Sequence, residues 1–167
     1  MSKITTWYLE MTDPSQLQDV TQSNALELKE AKVKQYQVNR FLYTYIGEAW
    51  QWFDKLDWSD AEWRDWSERD TLRTWIAYES GSIAGYFELD KTADSEIEIA
   101  YFGLAPKFIG KGYGGYLLSQ AVKAAWSWQD TQRVWLHTCT LDHANALNNY
   151  RARGFQLYRE EVEEIKE

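Results

Sequence analysis

The sequence predicts a single α/β domain over residues 1–167, a mixed, mostly antiparallel sheet flanked by helices. Three observations carry that expectation. Short β-prone runs recur between residues 72 and 104. A glycine-rich turn and an amphipathic run then lead into another β-prone run, which together read as a strand, turn, helix, strand crossover. A 19.7 kDa chain with 44% hydrophobic residues and a mean hydropathy of -0.61 has enough apolar surface for one core.

Residues 4–11 alternate as a first strand, and Asp13-Pro14 closes it with a turn signal. Residues 15–34 are polar and show no clear period. Over residues 38–52, Phe41, Leu42, Tyr45, Ile46, Ala49 and Trp52 recur near helical spacing, and Gly47 is expected to bend or break that helix. Ser59-Asp60-Ala61-Glu62 is a capping-box pattern with Trp63 and Trp66 behind it, which predicts a second, short helix. Residues 72–78 and 83–89 read as a hairpin around Glu79-Ser80-Gly81-Ser82. Residues 96–104 are a further strand and residues 134–141 another. Between them Leu117, Leu118, Ala121, Val122, Ala125 and Trp126 make one face of a helix over residues 116–128. Residues 144–153 predict a helix ended by Gly154, and residues 155–162 a last strand.

Charge narrows the function classes. With 26 acidic against 18 basic side chains the net charge is -8 and the pI about 4.9, which argues against binding nucleic acid through its phosphates. The chain opens Met1-Ser2-Lys3-Ile4-Thr5-Thr6-Trp7, without the apolar run of a secretory signal, and no apolar stretch is long enough to cross a membrane. A cytoplasmic protein without a membrane partner is expected. A lone cysteine, Cys139, and two histidines, His137 and His143, leave little with which to hold a metal, and none is expected.

Ile109-Gly110-Lys111-Gly112-Tyr113-Gly114-Gly115 lies between a strand and a helix start. Unpaired backbone N–H groups and the positive end of the helix dipole converge there, which suits a phosphate. Lys107 and Lys111 add positive charge. A tight glycine turn without a ligand satisfies the same pattern. Gly110, Gly112 and Gly115 also match a dinucleotide fingerprint, but three strands precede the turn and too little chain follows for that fold. No Gly-Lys pair is followed by Ser or Thr, so a P-loop is excluded.

The turn resembles the Gln/Arg-x-x-Gly-x-Gly/Ala motif of the GNAT superfamily of N-acetyltransferases, with Ile109 where Arg or Gln is usual. Leu104-Ala105-Pro106 looks like that family's strand exit. Asn145-Ala146-Leu147-Asn148-Asn149-Tyr150-Arg151-Ala152-Arg153-Gly154-Phe155 is similar to its Ala-x-x-x-Tyr-x-x-x-Gly-Phe segment, with His143 where Asn is common. The resemblance covers residues 72–155 and implies a GNAT-like fold, acetyl-CoA as co-substrate and an amine as acceptor. It implies that Phe102, Gly103, Leu104, Ile109, Gly110, Lys111, Gly112, Tyr113, Gly114, Gly115, His143, Asn145, Ala146 and Tyr150 border acetyl-CoA. The alternative is an acyl-CoA-binding sensor module without catalysis.

Acetyl transfer to an amine needs a neutral amine, a polarised carbonyl and a protonated leaving thiolate. Strand alternation puts Glu96, Glu98, Ala100 and Phe102 on one side and Ile97, Ile99, Tyr101 and Gly103 on the other, which also fits a solvated strand face. Fourteen residues separate Glu98 from Gly112, a spacing that resembles the one between general base and glycine turn in the superfamily's histone acetyltransferases. By that resemblance Glu98 is the base, the Phe102 N–H polarises the thioester, and Tyr150 protonates the departing sulfur. His137 and His143 are secondary candidates for the base, and Cys139 for an acyl-accepting nucleophile.

Phe41, Tyr43, Tyr45, Trp50, Trp52, Phe53, Trp58, Trp63 and Trp66 fall where the family's first helices border the acceptor. They suggest an aromatic acceptor site in which Asp54, Asp57 or Asp60 attracts a cationic amine; the alternative, which helical spacing favours, is core packing or a homodimer face.

Overall fold

The structure is a computed structural model that describes residues 2–21 and 25–165; the rest of the expected 1–167 domain lies outside the described residues. In chain order the elements are β1 (Ser2–Met11), β2 (Glu27–Glu30), α1 (Tyr36–Trp50), α2 (Asp60–Ser67), β3 (Leu72–Glu79), β4 (Ser82–Ala93), β5 (Glu96–Leu104), α3 (Tyr113–Ser127), β6 (Arg133–Cys139), α4 (Ala146–Ala152) and β7 (Gln156–Ile165). Among the described residues seven strands form one sheet in the order β2-β3-β4-β5-β6-β1-β7. Its neighbours are antiparallel except β5 and β6, which α3 connects as a parallel crossover. This is the α/β architecture the sequence predicts.

Local chemistry accounts for most element boundaries. Ser80 and Gly81 both adopt positive φ, 50° and 85°, which matches a two-residue turn to strand twist and joins β3 to β4. Both bonds of the predicted capping box form at α2, from Glu62 N–H to the Ser59 hydroxyl and from Ser59 N–H to the Glu62 carboxylate. Buried positions in α1 and α3 recur at helical spacing. In α1, Leu42, Ile46 and Trp50 face the sheet; in α3, Leu117, Leu118, Ala121, Val122 and Ala125 do. Each such burial contributes roughly 1.5–3 kcal/mol for a large side chain. An added Cβ at Gly103 would meet Ile46 and Trp50, whereas one at Gly85 would meet Leu117, so α1 and α3 cover opposite faces.

Three features depart from the sequence reading. Gly47 does not break α1: a Cβ there would lie 2.7 Å from Trp52 Cε3, so glycine lets the Trp52 ring fold back onto the helix that precedes it. Residues 27–30 pair with β3 through the backbone although their side chains carry no apolar alternation. The third is in β5, where Tyr101 pairs with Glu88 and Ile99 with Leu89, leaving Ala100 as a one-residue bulge. The bulge resets the alternation. Tyr101 therefore joins Glu98 on the face covered by α1 and α2, and the Phe102 ring turns to the other face, against Tyr150. No helix among the described residues is long and apolar enough to cross a membrane.

Candidate active site

The parallel pairing of β5 with β6 runs from Glu96/Arg133 to Glu98/Trp135 and ends there, so the two strands splay apart beyond it. Ala105 N–H donates to the Ala84 carbonyl at 2.8 Å. Ladder alternation then turns the backbone groups of Tyr101 and Gly103 toward β4 and those of Phe102 and Leu104 into the splay. The Trp50 indole N–H reaches the Leu104 carbonyl from that side, at 3.2 Å.

The glycine turn stands beside this free edge. Gly110 and Gly112 have φ of 85° and 82°, with open space where a Cβ would project, and no side chain caps the N-terminus of α3. Its first N–H groups are left for another acceptor. A cavity of about 200 Å³ lies against the turn. The structure brings Phe102, Leu104, Ile109, Gly110, Gly112 and Tyr113 to its wall, with Gly114, His143, Asn145, Ala146 and Tyr150. Three residues of the expected set stand elsewhere. Lys111 turns over the Phe108 ring, Gly115 packs against Arg153, and Gly103 packs under Trp50. His143 packs against Trp50 with centroids 5.0 Å apart and ring planes tilted by 45°, and accepts the Asn145 N–H on Nδ1. Asn149, which sequence reasoning passed over, also lines the cavity and ties α4 to the turn by donating to the Gly114 carbonyl at 3.2 Å.

A second cavity, about 430 Å³, opens on the α1 and α2 side of the sheet. Trp50, Phe102 and Tyr150 line both cavities, so the two meet at these residues. Glu98 is buried in the second one, and His137 Nδ1 lies 3.2 Å from its Oε2. The Glu98 hydrogen bond leads the influences that raise the His137 imidazole above its ordinary value, against the opposing effect of burial. Tyr150 is buried, and desolvation with the nearby Asp142 charge pushes its phenol well up. It stays protonated, the form a proton donor requires. Burial also leads the influences that push the Cys139 thiol up, which disfavours a nucleophilic thiolate.

The aromatic segment forms a cage with an occupant from the chain itself. Lys55 Nζ lies 4.5 Å from the Trp58 ring centroid, 4.6 Å from Trp66 and 4.9 Å from Tyr101. It donates to the Tyr101 hydroxyl at 2.7 Å and pairs with Asp54 at 3.3 Å. The Trp66 indole N–H is in turn held by the buried Glu88 carboxylate at 2.8 Å. Asp54 also accepts from Tyr43 and Tyr101, and against the penalty of burial Lys55 and these bonds hold its carboxyl below the ordinary value. Asp60 pairs with Arg40, and neither Asp57 nor Asp60 lines the cavity. The carboxylates left facing it are Glu98 and Asp142, and Asp142 already accepts from Thr138 and from the Cys139 N–H.

Comparison with known proteins supports the same architecture. A GCN5-related N-acetyltransferase from Sphaerobacter thermophilus superposes with a TM-score of 0.73 at 16% identity, covering 97% of this chain and 51% of that one. One from Kribbella flavida gives 0.63 at 16%, covering 94% and 55%. An aminoglycoside acetyltransferase from an uncultured soil metagenomic sample, solved with trehalose, gives 0.62 at 12%, covering 78% and 88%. At these identities the likeness shows the fold alone, and the chain spans about half the length of the first two proteins. No curated protein sequence matches it. The sequence model described as the Acetyltransferase (GNAT) family matches residues 36–155. That stretch runs from the first residue of α1 to the residue before β7, and the chain belongs to the acetyltransferase (GNAT) family.

Proposed function

We propose that the protein is an acetyl-CoA-dependent N-acetyltransferase that moves an acetyl group directly to a primary amine, on a small molecule or a protein, within one ternary complex. The observation that carries this reading is the meeting of the two cavities at Trp50, Phe102 and Tyr150. One has the glycine turn and the free β5 edge; the other has a buried carboxylate. Acetyl-CoA fits the first, because the uncapped start of α3 and the left-handed Gly110 and Gly112 leave backbone N–H groups free for its pyrophosphate. Its thioester supplies the activated acetyl group. The single cysteine and the acidic composition support placing the activity in the cytoplasm.

Each residue then has a role. Glu98 takes a proton from the acceptor ammonium and frees its lone pair. The Phe102 N–H, pointing into the splay, donates to the thioester carbonyl oxygen as negative charge develops on it. Tyr150 gives its proton to the departing sulfur. The test is thiol release from acetyl-CoA over a panel of alkyl, aryl and peptide amines. Release that is amine-dependent and falls about 10²-fold or more in Glu98→Gln is expected. Acetyl-CoA binding without release on any amine favours a sensor module instead.

A further inference from the structure

Acetylating an ammonium removes two protons from nitrogen. One ends on the departing sulfur, and the other must reach solvent. Glu98, which would take the proton bound for solvent, is poorly placed to release it, since its side chain is only 11% exposed. The His137 side chain beside it is 50% exposed.

Resting on the acetyltransfer reading above, we infer that His137 is the exit for the proton: as the neutral Nε2–H tautomer it accepts on Nδ1 from the protonated Glu98, the imidazolium loses its Nε2–H to water, and the ring exchanges its remaining proton through water before the next turnover. The geometry that carries this is the 3.2 Å contact between His137 Nδ1 and Glu98 Oε2, just past the last paired rung of β5 and β6, where the side chains bridge a gap the backbones no longer close. His137 never touches the acceptor in this scheme; it is a positioning residue that acts through Glu98. The ammonium gives one proton to Glu98, nitrogen bonds to the acetyl carbon, and the carbon–sulfur bond breaks. Tyr150 protonates the sulfur and is restored by the second nitrogen proton, while Glu98 passes the first through His137 to water. The products are an amide, a free thiol and one proton in solution.

The surroundings keep the imidazole in place and bias its charge. On β1, Tyr8 packs against it at a tilt with centroids 5.7 Å apart, and the Tyr8 hydroxyl donates to Glu161 of β7 while Arg159 lies over the Tyr8 ring. On β6, Trp135 stacks at 6.3 Å. From β5 comes Glu98, from the segment after β6 Asp142, and from the segment after α1 Asp54, and all three carboxylates favour the protonated ring. A proton arriving from Glu98 therefore finds a basic imidazole that is already oriented.

Two measurements on the full chain test this. In the first, His137→Ala is assayed with acetyl-CoA and whichever of 2-phenylethylamine, spermidine or a lysine peptide gives the fastest thiol release. Loss of about 10²-fold in kcat is expected, with unchanged KM for acetyl-CoA and recovery of rate on adding free imidazole. A structural role would not be rescued by imidazole, so a variant that is unimpaired, or impaired without rescue, overturns the relay. In the second, the imidazole is titrated by NMR in the wild type and in Glu98→Gln. A lower titration point in the variant is expected, and an unchanged one overturns the coupling. This second readout needs no acceptor, so inactivity on every amine would overturn the acetyltransfer reading and the relay with it, while an unchanged NMR titration in an active enzyme overturns the relay alone.

Discussion

His137 and Glu98 face each other across the point where β5 and β6 part, Nδ1 3.2 Å from Oε2. Glu98 belongs to the last rung of the parallel ladder, and His137 lies two residues past its partner on that rung, Trp135. The pair therefore closes the end of a gap whose free β5 edge continues to Leu104. One strand thus serves both cavities: its side chains up to the bulge supply the carboxylate, and its backbone beyond supplies N–H groups that no neighbouring strand pairs.

The pair also makes stability depend on pH. The His137 value is raised above 6.5 in the folded state, so its contribution is fully present below that ordinary value and is lost as pH rises through the folded one. The difference in unfolding free energy between wild type and His137→Gln should be larger at about pH 5.5 than at about pH 9. Urea unfolding at the two pH values measures it, and a difference that grows with pH would contradict the assignment.

Tyr150→Phe removes one buried hydroxyl and leaves the ring packed on Phe102 and Phe155. Turnover should fall by about 10²-fold or more, with little change in acetyl-CoA affinity. Steady-state kinetics paired with a binding titration checks this. Unchanged turnover would remove Tyr150 from the acid role.

Gly112→Ala and Gly81→Ala form a matched pair. Both glycines have φ above 80° and nothing within 4 Å of an added Cβ, so each substitution should cost about 1–2 kcal/mol of backbone strain. Gly112 stands at the head of α3 and Gly81 in the β3–β4 turn. Thermal unfolding should show similar losses, whereas calorimetry should show weaker acetyl-CoA binding only in Gly112→Ala. Equal affinity in both variants would dissociate the turn from the ligand.

Lys55→Met keeps the length of the side chain and removes its charge from among Trp58, Trp66 and Tyr101. The desolvated cation–π contacts predict a loss of about 2 kcal/mol in urea unfolding. A variant as stable as the wild type would show that the cage gains nothing from its ammonium.

Much of this was legible in the sequence because its causes are local. Ser59 and Glu62 specify their own cap, Ser80-Gly81 its own turn, and the glycines before α3 their own left-handed backbone. The bulge at Ala100 was not legible: strict alternation places Tyr101 opposite Glu98, and a single unpaired residue set by the pairing with β4 reverses that. Lys55 gave no signal either, since its cage is assembled from Trp58, Trp66 and Tyr101, up to 46 residues away along the chain. The contact of His137 with Glu98 joins residues on different strands through the crossover and depends on where the parallel ladder ends. β2 was missed because its pairing with β3 is a backbone matter, and its side chains alternate only between exposed and half-buried.

Calorimetric titration of the protein with acetyl-CoA, with NAD as a parallel control, decides whether the glycine turn holds the acetyl donor. Saturable binding of acetyl-CoA at one site and none of NAD is expected, because the turn at Gly110 to Gly114 opens onto a splayed strand edge and not onto a dinucleotide crevice. No binding of acetyl-CoA would contradict it, leaving the GNAT fold in place and withdrawing the proposed acetyltransfer.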